Sequence, residues 1–192
     1  MQKIEIKAFK RQDLGKKATK ELRKENNVPG VLYGGTENVH FFSPENELKK
    51  IIYTPHVYIV ELNVDDKKYD AVIKDIQFHP VNDNILHIDF LQIFEEKPVT
   101  IEIPIKIEGL AEGVKAGGKL QIGQRKLLVK GLAKNLPDEL NVDVSSLGLG
   151  KSILVGDVDF PDLTLLNSKI SVIVSVKLTR AARSATPQQQ EK

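Results

Sequence analysis

The sequence predicts a mainly β protein of two domains: an N-terminal antiparallel barrel carrying two short helices, then a second, all-β domain. Three observations predict it. Apolar and polar residues alternate at period two in IEIKAFKR, VYIVELNV and NILHIDFLQIF, the signature of half-buried strands. Only DLGKKATKELRKEN and SPENELKKIIY repeat at a helical spacing. After EEKPVT at residues 95–100 the texture changes to short strands punctuated by glycine, which marks a domain boundary after residue 94.

Taken in order, Ile4, Ile6 and Ala8 make the buried side of a first strand. Leu14, Ala18 and Leu22 recur every four residues and would face a core from a short helix. Lys16, Lys20 and Arg23 fall on another side of it, with Lys17 and Lys24 close by. Asn26 and Asn27 can end this helix, and Pro29 forbids its continuation. GVLYGG reads as a strand closed by a glycine turn. The second helix has Ser43 as N-cap, Pro44 at its first position and Glu45 at the positive end of its dipole, with Leu48, Ile51 and Ile52 as its buried stripe. Tyr58, Val60, Leu62 and Val64 alternate into a hairpin that turns at DDKK. The next strand sets Ile85, His87 and Asp89 on one face against Leu86, Ile88 and Phe90 on the other. Strands from 95 to 180 form the second domain, and RAARSATPQQQEK, with no apolar period, predicts a disordered tail over 181–192.

Composition excludes several classes. With no cysteine there can be no disulfide, thiolate zinc site or cysteine nucleophile, and a reducing compartment suits the chain. The N-terminus lacks the apolar stretch of a secretory signal, and no apolar run reaches bilayer length, so a cytoplasmic protein with no membrane partner is expected. The net charge is only +2, but residues 1–24 carry nine Lys or Arg against three acids. A local excess of that kind on a nearly neutral chain implies a polyanionic partner, or else a solubilising surface.

The chemistry concentrates in DIQFHPVNDNILHIDF. His79, His87 and Asp89 are a legal set of metal ligands, but His-x7-His is not a specific spacing and no HExxH motif occurs. No GxSxG elbow surrounds any serine, and SLGLGKS lacks the first glycine of a phosphate-binding loop, so Gly148, Gly150, Lys151 and Ser152 read as a turn. No catalytic residue, metal or cofactor is therefore expected. Nucleic-acid readout fits better: a cationic helix face can engage phosphates while Gln77, His79, His87 and Asp89 offer donors and acceptors to base edges or 2′-hydroxyls. An exposed polar sheet face with no ligand is the plain alternative.

GKKATKELRKENNVPGVLYGG followed by VIKDIQFHPVNDNILHIDF closely resembles the bacterial large-subunit ribosomal proteins that bind 5S rRNA, in their long two-domain form, general stress protein Ctc. The resemblance runs to about residue 180. It implies a six-stranded barrel docked on the loop E region of 5S rRNA, in the widened minor groove of an irregular helix, with no enzymatic activity. It further implies that Arg11, Lys16, Lys20 and Arg23 contact the RNA backbone and that Gly15 lets the chain approach it. Tyr33 and Gly34 match a YGG contact, Lys74, Gln77, His87 and Asp89 match readers on the sheet face, and His79 orders an HP turn. Lys17 and Lys20 depart from shorter members, which carry glycine and arginine there; the second change removes a planar fork but not a charge. The implied partners are 5S rRNA and, through the second domain, neighbouring large-subunit proteins and 23S rRNA, with the chain a monomer when free. A tRNA-binding barrel, as at the ends of glutaminyl-tRNA synthetases, and a metal-dependent hydrolase centred on His79, His87 and Asp89 are the rival readings.

Overall fold

The structure, a computed structural model, describes residues 2–179 apart from residue 66. The tail expected to be disordered, 181–192, lies outside the described residues. The first part of the chain runs β1 (Lys3–Lys10), α1 (Lys16–Lys24), β2 (Asn27–Tyr33), β3 (Val39–Pro44), α2 (Glu45–Ile52), β4 (Ile59–Val64), β5 (Lys67–Phe78) and β6 (Ile85–Gln92). Its six strands close into a barrel in the order β1-β3-β2-β6-β5-β4. Alternation drives the closure. Ile6 and Ala8, Val60, Leu62 and Val64, and Ile88 and Phe90 all point inward and are buried, joined by Val28, Leu32 and Phe41. Each of these Val, Leu, Ile and Phe side chains contributes roughly 1.5–3 kcal/mol through burial, and Ala8 less. From α2, Leu48 and Ile51 join the same core, while Ile52 is only partly buried.

The barrel is closed as expected, but it is not antiparallel throughout. Four of its seams are antiparallel, whereas β1–β4 and β2–β6 run parallel. Neighbours joined by a short turn must pair antiparallel; these two pairs are linked by longer crossovers, which permit the parallel arrangement. Residue alternation carries no information on strand direction.

Two local expectations also change. Helix α1 has no buried residue: Ala18 and Leu22 are half-buried and Leu14 is exposed. Strand side chains, with Leu48 and Ile51 of α2, make up the core, and this nine-residue helix lies outside it and packs on β2. It ends as its sequence requires, with Asn26 in the left-handed region at φ 59° turning the chain into β2. Ser43, expected as the N-cap of α2, is instead a fully buried strand residue whose Oγ donates to the Lys7 carbonyl at 2.8 Å. Pro44 occupies the cap position, and the Glu45 N–H donates to the Asn26 carbonyl at 3.0 Å.

The remaining elements are β7 (Pro98–Glu108), α3 (Glu112–Lys115), β8 (Lys119–Ile122), β9 (Lys126–Leu132), β10 (Leu140–Asp143), β11 (Ser152–Leu154), β12 (Thr164–Leu165) and β13 (Val172–Lys177). They form a four-stranded sheet, β10-β7-β9-β12, and a three-stranded one, β11-β13-β8. The chain divides into two compact units, residues 1–101 with 131–138, and residues 102–130 with 139 onward. Thus 95–101 and 131–138 go with the barrel, on the far side of the break in composition after residue 94. Ile103, Leu127, Val129, Leu140, Ile173 and Val174 are buried in the second unit. SLGLGKS is a turn there, with the Lys151 N–H donating to the Gly148 carbonyl and a strand following it.

Candidate nucleic-acid interface

The β5–β6 ladder is interrupted twice. Lys74 is an extra residue on β5 between the pairs Ile73–Phe90 and Asp75–Asp89, and Leu86 is an extra residue on β6 between Gln77–His87 and Phe78–Ile85. Between these bulges lie three regular pairs: Asp75–Asp89, Ile76–Ile88 and Gln77–His87. Ile88 is buried in the core and Ile76, partly buried, packs against it, so by alternation Asp75, Asp89, Gln77 and His87 share the outer face. The Leu86 bulge also corrects the sequence reading of β6. Ile85 is not beside His87 and Asp89; it is buried in the core, because one inserted residue shifts the alternation.

Within this window the groups orient one another. His87 Nδ1 lies 2.9 Å from Asp89 Oδ1. A neutral ring with its proton on Nδ1 has Nε2 as an acceptor, and a charged ring has both nitrogens as donors. Tyr33, at the end of β2, has its hydroxyl pKa pushed above the ordinary value, first by burial and then by the charges of Asp89 and Asp75. On the β2–β6 ladder Val31 pairs with Asp89 and Tyr33 with Leu91, so Tyr33 lies two residues along on the face that Asp89 shares. Gly34 follows it at φ 95°, with Leu91 filling the space a side chain would need, so only glycine fits there. His79 orders its turn as expected: its Nδ1 accepts from the Val81 and Asn82 N–H groups, both at 3.3 Å. Among the described residues, no group of three or more His, Asp or Glu is gathered as for a metal.

Beside the window, the outer side of α1 forms a shallow groove lined by Arg11, Leu14, Gly15, Lys16, Thr19, Lys20 and Arg23. Gly15 precedes the helix at φ 144° with open space where a Cβ would stand. The first turn of α1 holds no acid, its cap has no side-chain hydrogen bond, and Lys16 and Lys20 make no ion pair with a described residue. These ammonium groups and helix N–H groups form an anion-attracting surface.

The arginines are placed differently. Arg11 Nη2 donates to Thr19 Oγ1 at 3.2 Å and to the Asp13 carbonyl at 3.3 Å. Burial, with the like charge of Arg23 beside it, lowers the Arg11 pKa. Arg23 reaches to β6, where Nε and Nη2 donate to the Leu86 carbonyl at 3.1 and 2.7 Å.

The structure thus gathers Arg11, Gly15, Lys16, Lys20 and Arg23 in one groove and Tyr33, Gln77, His87 and Asp89 on one sheet face, with exposed Lys74 at the bulge bounding that face. Sequence reasoning missed Asp75, although its spacing of two from Gln77 marked it, and Thr19, which carried no such signal.

Comparison with known proteins bears on both parts of the chain. Residues 6–90 match the family described as the Ribosomal L25p family, and residues 98–180 match Ribosomal protein TL5, C-terminal domain. The chain is 54% identical over 192 aligned positions to Large ribosomal subunit protein bL25 of Phocaeicola vulgatus, covering 96% of this chain and 97% of the relative. It is 56% identical over 189 positions to the protein of that name from Azobacteroides pseudotrichonymphae, covering 98% and 100%. The protein of that name from Porphyromonas gingivalis is 50% identical over 192 positions, covering 99% and 100%.

Proposed function

We propose that this chain, which belongs to the ribosomal L25p family, binds 5S rRNA at its loop E region. It is a structural component of the large ribosomal subunit, not an enzyme, and acts in the cytoplasm on the ribosome. In this reading α1 holds phosphates through Lys16 and Lys20. The window of Asp75, Gln77, His87 and Asp89, with Tyr33, presents hydrogen bonds to base edges and 2′-hydroxyls in a widened minor groove. Neighbouring ribosomal proteins and 23S rRNA are the partners assigned to the second unit, and the free chain is a monomer.

One observation carries the proposal: a cationic helix face whose Lys16 and Lys20 have no ion partner among the described residues stands beside a sheet face of uncharged and acidic hydrogen-bonding groups on the same barrel. The first supplies affinity that ignores sequence, and the second supplies groups that discriminate. Capture of the tagged protein from lysate, with sequencing of the bound RNA, tests it. Enrichment of 5S rRNA is expected; enrichment of tRNA would transfer the reading to the tRNA-binding alternative.

A further inference from the structure

We infer that Arg23 is a positioning residue, which ties the cationic helix to the bulge beside His87 and so sets the spacing between the phosphate-binding and base-reading surfaces. The inference rests on the RNA-binding reading above, and it departs from the simpler assignment of Arg23 as a phosphate contact.

Leu86 is the residue inserted at the bulge, without a pairing partner on β5. An inserted residue interrupts the ladder, and its backbone polar groups need partners from elsewhere. Arg23 donates two N–H groups to the Leu86 carbonyl, at 3.1 and 2.7 Å, across 63 residues of sequence. Such a charge-assisted, two-pronged bond fixes direction as well as distance, which a lysine cannot do. The contact matters because α1 is otherwise lightly anchored, by Arg11 Nη2 on Thr19 Oγ1 at 3.2 Å and by its half-buried side chains. The helix buries no side chain, and only Ala18, Thr19 and Leu22 are half-buried. His87 is the residue immediately after Leu86, so the same bond fixes the strand where the reading face begins.

The test uses the full chain with Arg23→Lys, which keeps the charge but not the fork, and Arg23→Met, which keeps neither. Hydrogen exchange of residues 85–89 is measured on the free protein. Binding to 5S rRNA and to an unrelated RNA duplex of equal length is measured at several salt concentrations. With Arg23→Lys, exchange is expected to quicken and the preference for 5S rRNA to fall by about tenfold, the scale of one displaced base contact. Its salt slope should stay within about 0.3 of the parent. If Arg23→Lys matches the parent in exchange and preference while Arg23→Met lowers the slope by about one, Arg23 is a phosphate contact and the inference is overturned. Should the parent itself show no preference for 5S rRNA, the RNA reading fails. The exchange measurement on free protein still decides whether Arg23 holds the bulge, unchanged exchange overturning it.

Discussion

Helix α1 and the β5–β6 window lie on the same barrel but satisfy their polar groups in opposite ways. On α1, Lys16 and Lys20 find no ion partner among the described residues, and the first turn lacks an acid. In the window, His87 is bound to Asp89, Tyr33 feels both aspartates, and two bulges bound the face. A surface of unpaired cations acts through charge and tolerates small displacements. A surface of mutually oriented donors and acceptors acts through geometry and does not. On the proposed RNA-binding reading, this difference assigns affinity and discrimination to separable parts of one small domain.

The largest expected effect removes the support common to both. Phe41 is fully buried, its ring 5.8 Å from that of Phe90. Phe41→Ala should destabilise the barrel by about 3–5 kcal/mol in denaturant unfolding and abolish both kinds of RNA binding together. If one kind survived at full strength, the two regions would not depend on a shared core.

His87→Ala is the next in size. It should cost about 1–3 kcal/mol for 5S rRNA while leaving the melting temperature nearly unchanged, because the side chain stands on the outer face. A mutant that unfolds would show that the His87–Asp89 pair holds the fold instead.

How much of this could be read in the residues differs between the same two regions. Five of the six barrel strands and the cationic helix follow from alternation and spacing, as at Ile6, Lys16 and Lys20, while β3 carried no such reading and the HP turn at His79 came from the family resemblance. Strand direction at β1–β4 and β2–β6 does not follow from alternation, since parallel and antiparallel strands alternate alike. The bulges at Lys74 and Leu86 were equally illegible: nothing in their side chains marks an inserted residue, and with Leu86 unmarked Ile85 is assigned to the wrong face. Leu14, Ala18 and Leu22 have a core-facing period, yet a filled barrel leaves that helix outside. Ser43 had the chemistry of a cap, but strand β3 runs through it to Pro44 and buries it.

Smaller effects sharpen the comparison. Lys20→Ala should lower the slope of log affinity against log salt by about 0.9 or less, with little change in the preference among RNAs. An unchanged slope would place Lys20 away from the phosphates. Smallest of all is removal of the second unit. A fragment of residues 1–101 keeps every strand of the barrel, although it also gives up residues 131–138 of the first unit. In a gel-shift titration it should bind 5S rRNA within about threefold of the full chain, under 1 kcal/mol. Loss of most of the affinity would make the second unit a direct RNA contact.

The central claim is tested most directly by one salt series. Binding of the parent, Lys20→Ala and His87→Ala to 5S rRNA and to an unrelated duplex of equal length is followed from low to moderate salt. The predicted result is a crossed pattern: Lys20→Ala flattens the salt slope and keeps the preference for 5S rRNA, while His87→Ala keeps the slope and loses about tenfold or more of the preference. If both variants change slope and preference in proportion, the helix and the sheet face do not divide the work, and the account is wrong.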